Sequence, residues 1–270
     1  MGLAPSRSGR TMPKLSANLS WLFSELPFTQ RFAAAAECGF KAVEYAWPAE
    51  SPEQLAPLLK KHGLKQALFN LSAGPNPSDR GLAALPGREK DFDETVDRGI
   101  EMALALECPR MHVMAGMVKP GDDVAKMTQT YRSNLKRAAE KFAKHGLEIC
   151  IEALNPRDNR GYFLSTSAQA IETIDAIGAP NVKFQFDIFH CQVAEGDLTG
   201  HINALKGRFS HVQIAGNPGR HEPNVGEINY EFVLKALDDS GYDGWVGCEY
   251  KPATTTREGL GWARPYGIKA

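Results

Sequence analysis

The sequence predicts one α/β domain, a (β/α)8 or TIM barrel. Its 270 residues suit a single barrel of about 250 residues. Eight short apolar runs alternate with longer segments of helical period, which indicates a parallel sheet with enough strands to close. No change of composition marks a second domain, so residues 14–270 are expected to form the barrel. Residues 1–13 are rich in Ser, Arg, Gly and Pro, and we expect a disordered extension or a cloning remnant there.

The predicted strands are short apolar runs bounded by Gly, Pro or polar residues. In order along the chain they cover residues 15–19, 41–46, 65–70, 110–115, 147–153, 182–187, 209–215 and 244–250. The predicted helices lie between them and have apolar residues at three- and four-residue spacing. The clearest cover residues 28–38, 52–62, 88–106, 122–145, 167–177 and 230–240.

One kind of junction recurs between a helix and the next strand. A glycine ends the helix, an apolar residue follows, and the strand begins; these glycines are Gly39, Gly63, Gly146 and Gly241. Glycine readily adopts the left-handed conformation that terminates a helix. The opposite face then carries the long polar loops that follow the strands, among them a predicted loop over residues 189–197. In barrels of this kind, binding groups lie at that face, the carboxyl ends of the strands.

Composition and charge exclude several classes of protein. Lys plus Arg number 31 against 32 for Asp plus Glu, a net charge of -1, so no overall field attracts nucleic acid or an anionic membrane. The five cysteines are scattered without a CxxC pair, which favours reduced thiols in a cytoplasmic protein. The sequence contains no apolar run long enough for a membrane span and no signal peptide. We therefore expect a small-molecule partner, and the loop lengths permit a homo-oligomer.

Four successive strands end on a side chain that is able to bind a divalent cation. These residues are Glu152, Asp187, Gln213 and Glu249. Adjacent strand ends lie about 5 Å apart, so the four groups are expected to converge. Three carboxylates this close repel one another, and one of them would have a raised pKa unless a cation lies among them. Oxygen ligands favour Mg²⁺ or Mn²⁺; Zn²⁺ is less suited because sulfur and several imidazoles are missing. The alternative for each is a solvated loop residue or a helix N-cap.

Two further places hold candidate binding groups. His190 follows Asp187 by three residues and lies either near the same site or in a loop where it makes only hydrogen bonds. The stretch RHEPNVGEINY contains Arg220, His221 and Glu222. It is either a loop that closes over a bound anion, with Arg220 or His221 binding a carboxylate, or a solvated loop with internal ion pairs. His211 shares a strand face with Gln213 and is a candidate neighbour of the metal.

Several common catalytic motifs are absent from the sequence. It contains no GxGxxG after a strand, no GxxxxGK[ST], no GxSxG and no HExxH. A nucleotide cofactor and a serine nucleophile therefore have no support. Cys150 and Cys191 neighbour the strand-end carboxylates, which disfavour a thiolate.

Segments along nearly the whole chain resemble the hydroxypyruvate isomerase family, a branch of the xylose-isomerase-like barrels. They are SANLSWLF, FNLSAGP, LPGRE, HVMAG, IEALN, FDIFH, HVQIAGNPGRHEPNVGEINY and GWVGCEYKP, and the similarity runs from about residue 15 to residue 262. HVMAG, RHEP and GLGW are closer to the 2-oxotetronate isomerases of that family. One departure is IEALN in place of VEALS, which puts Asn155 beyond Glu152.

The resemblance implies a metal-dependent aldose–ketose isomerase of a short 2-oxo or hydroxy acid. Glu152 and Glu249 would transfer a proton through an enediolate, or a hydride would shift instead. The implied metal ligands are Glu152, Asp187, Gln213 and Glu249. The residues expected to bind substrate are His190, Arg220, His221, Glu222 and Lys251. The alternatives are a ketose 3-epimerase of the same superfamily, a metal-dependent abasic-site endonuclease and a non-catalytic sugar-binding barrel.

Overall fold

The protein is a closed barrel of eight parallel strands in sequential order, as a computed structural model describes it for residues 12–269. The strands are β1 Lys14–Asn18, β2 Ala42–Tyr45, β3 Lys65–Asn70, β4 Arg110–His112, β5 Glu148–Glu152, β6 Val182–Asp187, β7 Phe209–Ile214 and β8 Trp245–Cys248. Pairing of β1 with β8 closes the sheet. The predicted fold is confirmed. Residues 1–11 of the extension predicted over residues 1–13 lie outside the described residues, so this extension stays a prediction.

Helices surround the barrel and follow the strands. They are α1 Phe28–Glu37, α2 Pro52–His62, α3 Glu89–Ala105, α4 Val124–Ala143, α5 Ser167–Ile177, α6 Ile188–Ala194, α7 Leu198–Ala204, α8 Tyr230–Asp239 and α9 Thr256–Gly259. Local chemistry sets several of their ends. Ser51 and Gln54 form a capping box at α2, and Asp123 and Thr166 cap α4 and α5, which satisfies backbone amides that the first turn leaves unpaired. The predicted helices therefore begin and end close to the observed ones.

The region after β6 corrects the prediction. Residues 189–197 were expected to be a loop, but they contain α6 and the approach to α7. Asp187 explains the start of α6, because its Oδ1 accepts the backbone N–H groups of Phe189 at 2.8 Å and His190 at 3.2 Å. The strand-end residue is thus also a helix N-cap, and His190 lies in the first turn of the helix.

The four predicted junction glycines all have positive φ angles, between 63° and 96°. Gly63 ends α2 in the left-handed conformation, and its N–H donates to carbonyls of the last helical turn. A residue with a Cβ would be strained in this conformation. The junctions therefore lie at the amino ends of the strands, which leaves the opposite face for the long loops.

Polar side chains are buried inside the barrel among the apolar core. They include Ser16, Asn18, Glu44, His112, Glu152, Gln185, Asp187, His211 and Gln213. Buried polar groups are costly unless they are paired, so their accumulation marks the functional region. All five cysteines are free and buried. Over residues 12–269, no helix combines the length and apolar character needed to cross a bilayer. The cytoplasmic location stays a prediction.

Candidate metal and substrate site at the carboxyl ends of the strands

Glu152 ends β5 with its carboxylate deep in the barrel, where the residue is only 5% exposed. Its Oε2 accepts a hydrogen bond from Gln185 Nε2 at 3.1 Å and lies 3.4 Å from His112 Nδ1. Its Oε1 is buried and accepts no hydrogen bond from any described residue. Burial, followed by the charges of Glu249 and Asp187, raises the Glu152 pKa well above its ordinary value. This carboxyl group therefore needs a proton or a nearby cation.

Glu249 directly follows β8 and pairs with Arg220. Arg220 Nη2 donates to Glu249 Oε2 at 2.7 Å and lies 3.3 Å from Asp187 Oδ2. The guanidinium also packs over the rings of Trp21 and Phe189, at 4.9 and 5.1 Å from their centroids, which fixes its position. Burial raises the Glu249 pKa to about 7 even though the Arg220 charge lowers it. Such a group can gain and lose a proton near neutral pH.

The charges of the site do not balance. Asp187 and the two glutamates give three carboxylates, and the Arg220 guanidinium contacts two of them, those of Asp187 and Glu249. If all are ionised, three negative charges and one positive charge leave two negative charges in a buried volume, which is unfavourable without further compensation. A divalent cation would neutralise them. The buried Glu152 Oε1 offers such an ion an oxygen to bind, so the residues present fit the predicted metal.

His190 faces the same carboxylates. Its Nε2 lies 3.6 Å from Asp187 Oδ2 and 3.9 Å from Glu152 Oε1, and these three residues offer ligand atoms within 4.8 Å of one another. The ring's Nδ1 accepts a hydrogen bond from the backbone N–H of Asn155 at 3.3 Å. Because Nδ1 is an acceptor, the neutral ring carries its hydrogen on Nε2. Burial lowers the His190 pKa to about 4. In this tautomer His190 is a hydrogen-bond donor toward the site.

Gln213 lies beside Asp187 in the register of β6 and β7 but is held by other polar groups. Its Nε2 donates to Glu44 Oε1 at 2.8 Å, and its Oε1 accepts from Gln185 Nε2 at 2.7 Å. The same Gln185 nitrogen reaches Glu152. Asp187 and Glu249 thus contact Arg220, Glu152 offers a ligand atom within 4.8 Å of one of Asp187, and Gln213 is joined to Glu152 through Gln185. The ligand set itself stays a prediction.

The five residues predicted to bind substrate divide into two groups. His190 and Arg220 contact the carboxylates. His221, Glu222 and Lys251 instead connect the loops after β7 and β8. His221 Nδ1 lies 2.9 Å from the Lys251 carbonyl oxygen, and Glu222 Oε1 accepts the N–H of Ala253 at 3.0 Å. The Lys251 side chain is exposed. The loop of the second group therefore holds its own shape, and a substrate contact there stays a prediction.

Four residues that the sequence reasoning did not assign contribute to the site. They are Glu44, His112, Asn155 and Gln185. Gln185 lies two residues before Asp187 in FQFD, and Glu44 is the charged residue within the apolar run AVEY. Both are polar residues inside predicted strands and are therefore visible in the sequence. The preference for Mg²⁺ or Mn²⁺ over Zn²⁺ stays a prediction.

The fold and the site define a (β/α)8 barrel with a cluster of carboxylates at the carboxyl ends of its strands. Residues 32–266 match the model of the xylose isomerase-like TIM barrel family, and the chain belongs to that family. A 2-oxo-tetronate isomerase of Pectobacterium atrosepticum is 48% identical over 257 residues, which cover 94% of this chain and 98% of the relative. A hydroxypyruvate isomerase of Escherichia coli is 41% identical, with 94% and 100% covered. The predicted family is confirmed, and with it the prediction of an isomerase.

A solved structure agrees with the fold almost completely. The structure described as AP endonuclease, family 2, from Brucella melitensis superposes with a TM-score of 0.93 at 43% identity, covering 95% of this chain and 100% of the other. Its description concerns that protein. The similarity supports the path of the strands and loops around the site described above.

Proposed function

We propose that this protein is a metal-dependent aldose–ketose isomerase of short 2-oxo acids, with 2-oxotetronate as the favoured substrate and hydroxypyruvate as the weaker one. One observation carries the proposal: two glutamates whose pKa values are raised above the ordinary value, chiefly by burial, lie in one site, Glu152 beside Asp187 and Glu249 paired with Arg220. The order of the substrates rests on the relatives, since the 2-oxo-tetronate isomerase is 48% identical and the hydroxypyruvate isomerase 41% identical.

The two glutamates would move the proton. Isomerisation moves a carbonyl group to the neighbouring hydroxyl-bearing carbon: that carbon loses a proton, the former carbonyl carbon gains one, and the hydroxyl proton is transferred to the former carbonyl oxygen. Burial disfavours the ionised forms of both Glu152 and Glu249; the Glu249 pKa of about 7 lets that group bind and release a proton near neutral pH. One glutamate removes the proton to give an enediolate, and the other returns it.

Arg220 and His190 would orient the substrate. Arg220 is buried against two aromatic rings and presents its guanidinium to the site, a geometry suited to the carboxylate of a 2-oxo acid. His190 points Nε2 toward the reacting groups and, as a neutral ring, donates a hydrogen bond to a substrate oxygen. Both contacts hold the carbon that loses its proton between the glutamates.

Glu152, Asp187, Gln213 and Glu249 would hold the metal, with Mg²⁺ or Mn²⁺ favoured by their oxygen atoms. What a bound divalent cation supplies is polarisation of the substrate's carbonyl and hydroxyl groups and neutralisation of the charge that develops on them. The excess of negative charge among Glu152, Asp187, Glu249 and Arg220 supports this assignment.

The test is an assay of purified protein that has been stripped of metal and then given Mg²⁺ or Mn²⁺. 2-Oxotetronate and hydroxypyruvate are compared side by side. We expect turnover only with metal and a higher kcat/KM for 2-oxotetronate. Loss of a carbon-bound label to solvent would support proton transfer over a hydride shift. Absence of turnover with both acids would contradict the proposal.

The same preparation separates the alternatives. Epimerisation of a free ketose would favour the 3-epimerase, and binding of sugar without turnover would favour a non-catalytic barrel. Cleavage of abasic DNA would favour an endonuclease. The net charge of -1 and the single imidazole in the group of Glu152, Asp187 and His190 give no support to a multi-zinc site or a DNA-binding groove.

A further inference from the structure

Glu44 lies at the centre of a buried hydrogen-bond network. It belongs to β2 and is 0% exposed. Its carboxylate accepts hydrogen bonds from Ser16 Oγ at 2.7 Å, Asn18 Nδ2 at 3.1 Å and Gln213 Nε2 at 2.8 Å, and it lies 2.8 Å from His211 Nε2. The partners come from β1 and β7. Four polar groups thus surround one charge inside the barrel.

The neighbouring strand makes room for this carboxylate. Gly247 of β8 lies directly against it, and a Cβ atom at that position would overlap both Glu44 carboxylate oxygens. Gly247 is also the register partner of Gln213. The space for the carboxylate and its contact with Gln213 are therefore built by the same pair of strands.

The direction of these hydrogen bonds carries the inference. An ionised carboxylate only accepts hydrogen bonds, so the Gln213 amide must turn its nitrogen to Glu44 and its oxygen away. That oxygen accepts from Gln185 Nε2, which also donates to Glu152 Oε2. Glu152 Oε2 is thereby occupied, and Oε1 is the oxygen left without a partner among the described residues.

We propose that Glu44 is a positioning residue that orients the amides of Gln213 and Gln185 and so determines which oxygen of Glu152 faces the substrate. The proposal rests on the proposed function, in which Glu152 transfers a proton and Gln213 binds the metal. Glu44 itself belongs neither to the proposed proton-transfer pair nor to the proposed metal ligands. It acts through two amides in series. Glu44 fixes the orientation of the Gln213 amide, and the Gln213 amide fixes the orientation of the Gln185 amide.

Glu44→Gln tests the proposal because it keeps the shape of the side chain but adds a donor. The NH2 group that this substitution introduces faces one of the groups that now donate to the Glu44 carboxylate, and the Gln213 amide loses its fixed direction. We expect kcat and Mn²⁺ affinity to fall about 10- to 100-fold, as for other groups that orient metal ligands, with KM changed much less. Ser16→Ala is the matched control. It removes a contact of the same carboxylate but none with Gln213, and kcat should stay within about twofold of wild type.

A double-mutant cycle distinguishes positioning from a merely structural role. Gln213→Met removes the amide through which Glu44 acts. If the proposal holds, adding Glu44→Gln to Gln213→Met lowers kcat little further, because the two changes interrupt one path. An equal loss of kcat in both backgrounds would overturn the proposal. So would a Glu44→Gln variant that melts earlier but keeps kcat and Mn²⁺ affinity.

A measurement on the wild-type protein covers the case in which Glu44→Gln does not fold. The side-chain NH2 hydrogens of Gln213 should exchange slowly with solvent, because Glu44 accepts one of them in a buried place. Rapid exchange would contradict the proposal. This readout needs neither metal nor substrate, so a failure of the proposed isomerase activity and a failure of the Glu44 proposal remain distinguishable.

Discussion

Glu152 and Glu249 share one site but differ in their immediate partners. Glu249 is paired with Arg220. Glu152 accepts a hydrogen bond from the neutral Gln185 amide at Oε2, and its Oε1 has no hydrogen-bond partner among residues 12–269. Replacement of either by glutamine keeps the shape and removes the proton-transfer group. We expect Glu152→Gln and Glu249→Gln each to lower kcat by about 100-fold or more, measured by steady-state kinetics. Glu231→Gln, at an exposed glutamate of α8, is the control. Near-normal turnover in either site variant would exclude the two-glutamate mechanism.

Arg220 influences both substrate binding and the protonation of Glu249. Its charge lowers the Glu249 pKa against the effect of burial. Arg220→Met should therefore raise that pKa, so the limb of the kcat/KM profile that requires ionised Glu249 moves to higher pH. Loss of a charged hydrogen bond to the substrate carboxylate should also raise KM, by about 10- to 100-fold. A pH profile of the variant checks both effects. An unchanged limb would show that Glu249 does not control that part of the profile.

At the scale of single elements, α6 joins structure to function through Asp187. The same side chain ends β6, caps α6 and faces the site through its other oxygen. Asparagine can still accept the amide hydrogen bonds of the cap, but alanine cannot. Asp187→Ala should therefore have a free energy of unfolding about 1 kcal/mol lower than Asp187→Asn, while both lose activity. Urea denaturation of the two metal-free variants measures the difference. Equal stabilities would mean that the cap contributes nothing.

The close approach of β8 to β2 gives a second prediction for elements. A Cβ at Gly247 would overlap the Glu44 carboxylate, and overpacking of a filled interior costs about 1–3 kcal/mol. Gly247→Ala should therefore lower the free energy of unfolding by that amount, as measured by denaturant titration. Gly261→Ala is the matched control, because no atom lies within 4 Å of the Cβ it would add. Equal effects of the two substitutions would show that the carboxylate moves freely.

The elements also show what the sequence could and could not predict. β6 and α2 have the predicted bounds, because apolar period and glycine junctions are local signals. The seven-residue α6 is too short to show a helical period, and its cap was also a strand end. The sequence shows a charged residue at Glu44 but not its partners, which are distant along the chain, 167 residues away for His211, and only closure of the barrel brings them together. The strand-end carboxylates were predictable because in a barrel all strands end at one face.

The Asn155 backbone and side chain show a similar limit. The departure from VEALS to IEALN was visible in the sequence, but its consequence was not. In the folded protein, the Asn155 N–H donates to His190 Nδ1, and its side-chain nitrogen lies 2.6 Å from the same atom. Asn155 thereby determines which ring nitrogen of His190 faces the site. A contact between residues 155 and 190 depends on the packing of β5 beside β6, which periodicity alone does not reveal.

For the molecule as a whole, the site opposes folding when no cation balances its carboxylates. Burial raises the Glu249 pKa from 4.5 to about 7, so the folded state holds its proton more tightly than the unfolded state. The stabilising contribution of this group is then present below pH 4.5 and is lost as pH rises toward 7. The metal-free wild type should lose stability over this range relative to Glu249→Gln, which does not titrate. Thermal unfolding of both proteins at several pH values measures the difference.

Mn²⁺ should reverse this loss for the wild type. An ion that binds only the folded state adds about 2.7 kcal/mol to the free energy of unfolding at 100 times its Kd, and it favours the ionised carboxylates. The gain should therefore increase with pH and be smaller in Glu249→Gln. If Mn²⁺ raises the melting temperature of wild type and Glu249→Gln equally, Glu249 is not a ligand. If it raises neither, the convergence of Glu152, Asp187 and Glu249 serves proton transfer alone.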